Sequence, residues 1–121
     1  MVCFAVSCSS KEDSEAELPA VDCAKETVPA YSEVTLFKTT CVTCHASTKT
    51  GAARKGSGAE AAPVGIDFDT YAAAKVSAIS AADELYEGDR GAMPPEDSML
   101  PAATETEKRQ VLVWAKCGTP E

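Results

Sequence analysis

The sequence predicts an all-α fold, a small bundle of about three helices joined by long loops, and three observations carry that expectation. Apolar residues recur every three or four positions in three separate stretches. A residue able to cap a helix stands ahead of each, and no stretch of alternating apolar and polar residues suggests a strand. At 121 residues and 45% hydrophobic content the chain suffices for one domain with one small core.

The first helix is expected after Tyr31, where "YSEVTLFKTTC" sets Val34, Phe37 and Cys41 on one face with Ser32 available as N-cap. The second is expected after Asp69 as cap, with Tyr71, Ala74, Ala78, Ala81 and Leu85 at helical spacing and Gly88 and Gly91 as the stop. The third starts from the capping-box pair Thr104 and Glu107, presents Val111, Trp114 and Ala115, and ends at Gly118.

Between these lie two long connections. Residues 46–62, "ASTKTGAARKGSGAEAA", have no period and read as a loop, whose Lys49, Arg54 and Lys55 form the one positive patch. "MPPEDSMLP", 93–101, carries three prolines and so reads as a stiff, extended loop poor in backbone donors. Ahead of the helices, residues 8–30 are acidic, polar and interrupted by Pro19 and Pro29, and read as a flexible tether. From Cys8 to Cys23 such a tether would reach about 50 Å fully extended. The expected division is therefore 1–7 residual leader, 8–30 tether and 31–121 folded domain.

Charge narrows the function classes. Eleven basic residues against 19 acidic ones give a net charge of −8, with no basic cluster able to meet a phosphate backbone, so nucleic acid is not an expected partner. An acidic surface suits protein partners carrying basic docking patches. No run of eighteen apolar residues predicts a transmembrane helix.

The chemistry sits in "CVTCH", 41–45, which holds the only histidine of the chain. A closed zinc site needs four ligands, and this stretch offers one cysteine pair and one histidine with no second pair at suitable spacing. Thiol–disulfide exchange needs its cysteine pair at a helix start behind a strand, and no βαβ alternation is present. Covalent haem attachment needs two thiols at this separation to add across two vinyl groups, with histidine next in sequence to reach the iron. Cys41, Cys44 and His45 meet that requirement. With no second histidine, a six-coordinate iron would take a thioether as its other axial ligand, and outside the leader only Met93 and Met99 supply one.

Taken together, "CVTCH", the "MPP" at 93–95 and the closing capped helix "TETEKRQVLVWAKCG" resemble the class I single-haem bacterial cytochromes c, over roughly residues 31–118. The resemblance implies a cytochrome c-like bundle wrapped around one covalently attached haem c, with His45 and Met93 as axial ligands and Met99 as a packing residue beneath the loop. It implies a crossing of first and last helices through Phe37 and Trp114, with Glu33 standing where the family usually has a glycine. It also implies that His45 donates its free ring N–H to a downstream proline carbonyl, for which Pro63 is the candidate.

On that reading the cysteines divide cleanly. Cys41 and Cys44 carry the haem, Cys3 leaves with the leader, and "AVSC" at 5–8 resembles a lipoprotein processing box that would lipidate Cys8. Cys23 and Cys117 remain, and in an exported protein they are expected to pair as a disulfide. The function expected is one-electron transfer between redox proteins of the bacterial cell envelope, in a periplasmic or lipid-anchored protein that is not an enzyme. Two alternatives stay open at this point: a haem protein whose methionine is displaced, acting as a peroxidase or gas-ligand binder, and a thiol–disulfide oxidoreductase.

Overall fold

A computed structural model describes residues 17–87 and 91–121. The leader, Cys3, Cys8 and the first part of the tether lie outside the described residues, as does Gly88. Four α-helices form: α1 (Thr35–Thr39), α2 (Tyr71–Val76), α3 (Ala78–Tyr86) and α4 (Glu105–Lys116). Short 3₁₀ turns at Tyr31–Glu33, Cys41–Thr43, Gly51–Arg54 and Glu96–Ser98 complete the order, and no strand occurs among the described residues. The fold is all-α. No described helix is long and apolar enough to cross a membrane.

The longest helix, α4, packs on α3 and on α1 and organises the core. The Thr104 hydroxyl accepts from the Glu107 amide at 3.2 Å and the Glu107 carboxylate accepts from the Thr104 amide at 2.7 Å, which is the expected reciprocal cap. Val111, Leu112 and Trp114 are fully buried. Past its end, Gly118 adopts φ +90° and the Thr119 amide donates back to the Trp114 carbonyl at 3.0 Å, a left-handed closure that glycine adopts without strain.

The first helix is shorter than its spacing suggests. Ser32 does not cap it: Ser32 lies inside the turn Tyr31–Glu33, and Val34, wholly buried with ψ 88°, interrupts the helical path before α1 begins. Glu33 accepts from the Ala30 amide at 2.8 Å, so the residue standing in the glycine's place closes the preceding turn. Phe37 nevertheless meets Trp114 edge to face with ring centroids 5.2 Å apart. Tyr31 and Phe68 flank that pair, with Phe68 stacked on Phe37 at 5.1 Å.

The second expected helix is two. Ser77, at φ −104° and ψ 13°, ends α2 with its amide donating to the Ala74 carbonyl, and the chain restarts as α3. The cap of α2 is Thr70, which accepts from the Ala73 amide, rather than Asp69. Asp69 is engaged elsewhere, accepting from the amide and hydroxyl of Ser47 at 3.0 and 2.6 Å. Ala74, Ala78, Ala82 and Leu85 form the buried face across the break.

Residues 17–30, expected as part of a free tether, are held on the domain. Leu18 and Val21 pack against the core, Arg109 of α4 donates to the Ala20 carbonyl and pairs with Glu26, and Cys23 is bonded to Cys117. Polar composition misleads here because one cystine and two apolar contacts suffice to fasten an otherwise solvated segment.

Candidate functional site

A turn of 3₁₀ helix at Cys41–Thr43 gives "CVTCH" its shape. The Cys41 carbonyl accepts from the amides of both Cys44 and His45, at 3.3 and 2.7 Å, which folds the pentapeptide on itself. Cys41, Cys44 and His45 consequently line one cavity of about 340 Å³, within the usual size of a small-molecule site, whose wall is mostly apolar and includes Leu36, Phe37 and Phe68. Both thiols are free and half-buried.

His45 is fixed by backbone rather than by another side chain. Its Nδ1 donates to the Ile66 carbonyl at 2.7 Å, its own carbonyl accepts from the Phe68 amide at 2.9 Å, and the two rings meet edge to face at 5.4 Å. A carbonyl can only accept, so Nδ1 carries the proton and Nε2 keeps its lone pair, with no hydrogen-bond partner for Nε2 among the described residues. Burial pushes the His45 pKa down, the bond to Ile66 opposes that, and the Arg54 charge adds to it. The net direction, which Asp67 also opposes, favours the neutral ring, whose Nε2 is able to ligate.

The acceptor differs from the expected one. Pro63 offers its carbonyl to Arg54 at 2.6 Å, and Ile66 serves His45. Arg54 also departs from expectation: it is 2% exposed and belongs to no surface patch, leaving Lys49 and Lys55 alone of the three. Its guanidinium donates to the carbonyls of Ala46, Ala62, Pro63 and Ile66 and pairs with Asp67 at 2.8 Å. Arg54, Asp67 and Ile66 are the residues that sequence reasoning missed, and the one available signal was a lone arginine within a run of alanine and glycine.

The methionine loop is hung from α3. Gly91 at φ +88° lies so close that a Cβ there would stand 2.5 Å from the Leu85 carbonyl oxygen, and the amides of Ala92 and Met93 both donate to the Glu84 carbonyl. That bend carries Met93, Pro94 and Pro95 into the cavity wall. Asp97, four residues on, accepts from the Ala59 amide at 2.9 Å and ties this loop to the 46–62 loop. Met99 is 83% exposed at φ +64°, so it does not pack beneath the loop as expected.

The structure therefore brings Cys41, Cys44, His45 and Met93 to one cavity and leaves Met99 out. Cys23 and Cys117 form the expected disulfide, with Cα atoms 5.5 Å apart, and so neither can complete a metal tetrad with Cys41 and Cys44. Among the described residues no cluster of three or more His, Cys, Asp or Glu side chains is arranged to hold a metal ion. Burial pushes the Cys41 thiol up to about 12, the reverse of what an exchange nucleophile requires. Two thiols, one imidazole and one thioether thus line a mostly apolar cavity. Compared with known proteins, the chain matches no family, no curated protein and no solved structure.

Proposed function

We propose that the chain is a single-haem c-type cytochrome that carries one electron at a time between protein partners. The observation that carries the reading is the convergence on one apolar cavity of both "CVTCH" thiols, His45 and Met93, which come from opposite halves of the sequence. Cys41 and Cys44 would each add S–H across a vinyl group, forming two thioethers with no leaving group. His45 through Nε2 and Met93 through its sulfur would hold the iron. A haem c bound in this way supplies a reversible one-electron iron couple.

The remaining residues serve that role by exclusion and orientation. Leu36, Phe37 and Phe68 give the cavity apolar walls, and the Ile66 carbonyl fixes the His45 ring. With both His45 and Met93 engaged, the iron would have no open position for a substrate, so the reading is of a carrier rather than an enzyme. The disulfide between Cys23 and Cys117 fits an oxidising compartment, which supports export to the cell envelope, with lipid on Cys8 as the anchor. The net charge of −8 fits redox partners with basic docking patches.

The test is an absorption spectrum of protein exported and matured alongside haem-attachment machinery. A c-type spectrum whose pigment resists acidified organic solvent, and which is lost in a Cys41→Ala/Cys44→Ala double variant, is the expected result. A colourless protein, or pigment that the solvent extracts, would overturn the reading.

A further inference from the structure

Among the described residues Arg54 is the most heavily hydrogen-bonded side chain, and its position has a chemical consequence at the site. Nη1 donates to the carbonyls of Ala46 at 2.8 Å and Lys49 at 3.3 Å, and Nε to that of Ala62 at 3.0 Å. Nη2 reaches the Pro63 carbonyl at 2.6 Å, the Asp67 carboxylate at 2.8 Å and the Ile66 carbonyl at 3.3 Å. That last oxygen is the one to which His45 donates at 2.7 Å. A single carbonyl thus serves a cation and the ligand imidazole together.

Holding a guanidinium in this interior is costly unless every donor is matched, and here the loop 46–67 is wound so that its carbonyls match them. Loop order alone would not require the shared oxygen. A carbonyl oxygen that also accepts from a cation is a weaker acceptor toward its second donor, the Nδ1 proton of His45. A weaker acceptor leaves the imidazole less imidazolate-like and a poorer donor through Nε2. Asp67, buried against Arg54, keeps the pair's net charge near zero, so the effect travels through the hydrogen bond more than through bare charge.

We propose that Arg54, paired with Asp67, is a positioning residue that sets the reduction potential of the centre: by sharing the Ile66 carbonyl it weakens the His45 ligand and favours ferrous iron. The inference rests on the haem reading above. Its consequence is a higher potential than a histidine with sole use of its acceptor would give.

Two variants of the matured, full-length holoprotein test it. Arg54→Gln with Asp67→Asn removes both charges without leaving one buried alone, and Arg54→Lys keeps the cation but replaces the planar three-nitrogen fork by one nitrogen with three N–H groups for six acceptors. In both, the Ile66 carbonyl is released to His45, because a single ammonium nitrogen cannot span the acceptors that Nε, Nη1 and Nη2 of Arg54 reach, and the midpoint potential is expected to fall, by three- to tenfold in the ferric-to-ferrous ratio for the double variant, tenfold being about 59 mV for one electron. The far-red band of the Met93 to ferric iron bond should persist, and the His45 Nδ1 proton resonance of the ferrous protein should move downfield as its hydrogen bond strengthens. Arg54→Lys decides alone if the double variant does not mature. An unchanged or raised potential with the far-red band intact overturns the role of Arg54 and leaves the haem reading standing. A wild-type protein without haem overturns both, and is seen before any variant is made.

Discussion

Trp114 stands edge-on to Phe37 with ring centroids 5.2 Å apart, and both side chains are fully buried where α1 crosses α4. This contact joins the helix that precedes the cysteine turn to the helix that ends the domain. Either residue replaced by alanine is expected to cost about 3–5 kcal/mol, from lost transfer energy and the cavity left behind. Urea unfolding of each variant measures it, and losses below 1 kcal/mol would mean the crossing is not a support of the fold.

Met93 and Met99 should part company on substitution. On the proposed haem reading, Met93→Ala is expected to abolish the far-red band and turn the ferric spectrum toward high spin, whereas Met99→Leu, at a side chain 83% exposed, should leave spectrum and stability unchanged. Gly91→Ala should act at a distance, since its Cβ would collide with the Leu85 carbonyl in the last turn of α3. A loss of about 1–3 kcal/mol, with Met93 shifted from the cavity wall, is expected from unfolding monitored by circular dichroism.

The disulfide between Cys23 and Cys117 spans 94 residues of separation. On chain-entropy grounds a closed loop of that length stabilises by about 4–5 kcal/mol, and removal of native disulfides costs about 2–5 kcal/mol. Cys23→Ser with Cys117→Ser is expected to lower the unfolding midpoint by that order and to raise amide exchange over 17–30. An unchanged exchange pattern there would show that Leu18, Val21 and Arg109 fasten the segment without help.

Acid stability should depend on Asp69. The Ser47 hydroxyl and amide bonds hold its carboxyl below the usual carboxylate range. A carboxylate depressed in the folded state stabilises above its unfolded pKa, and that contribution fades as the pH drops through the folded value. Wild type should therefore lose stability below about pH 4, and Asp69→Asn or Ser47→Ala should flatten that limb while lowering the plateau at neutral pH. Thermal unfolding from pH 2 to 7 reads both.

What the sequence made legible was local structure carried by residue type at short range. The Thr104 and Glu107 cap and the glycine stop after α4 each depend on a few adjacent residues, so their spacing is enough. Choices among equal neighbours were not legible: Asp69 and Thr70 can both cap, and only the position of Ser47 across the fold commits Asp69 elsewhere. The acceptor for His45 is a main-chain oxygen, which every residue possesses, so nothing in the letters distinguishes Ile66 from Pro63. Arg54 looked like a surface cation because its partners are also mostly carbonyls. The break at Ser77 likewise has no glycine or proline to announce it.

The cystine that closes residue 23 onto residue 117 also governs how the molecule bears load. A pull applied between the two termini runs through the sulfur–sulfur link and bypasses all the backbone between those positions. Every helix and every residue of the cavity lies inside that shunt. Tension on a leash at the amino end would thus reach the last helix's exit and leave the interior slack.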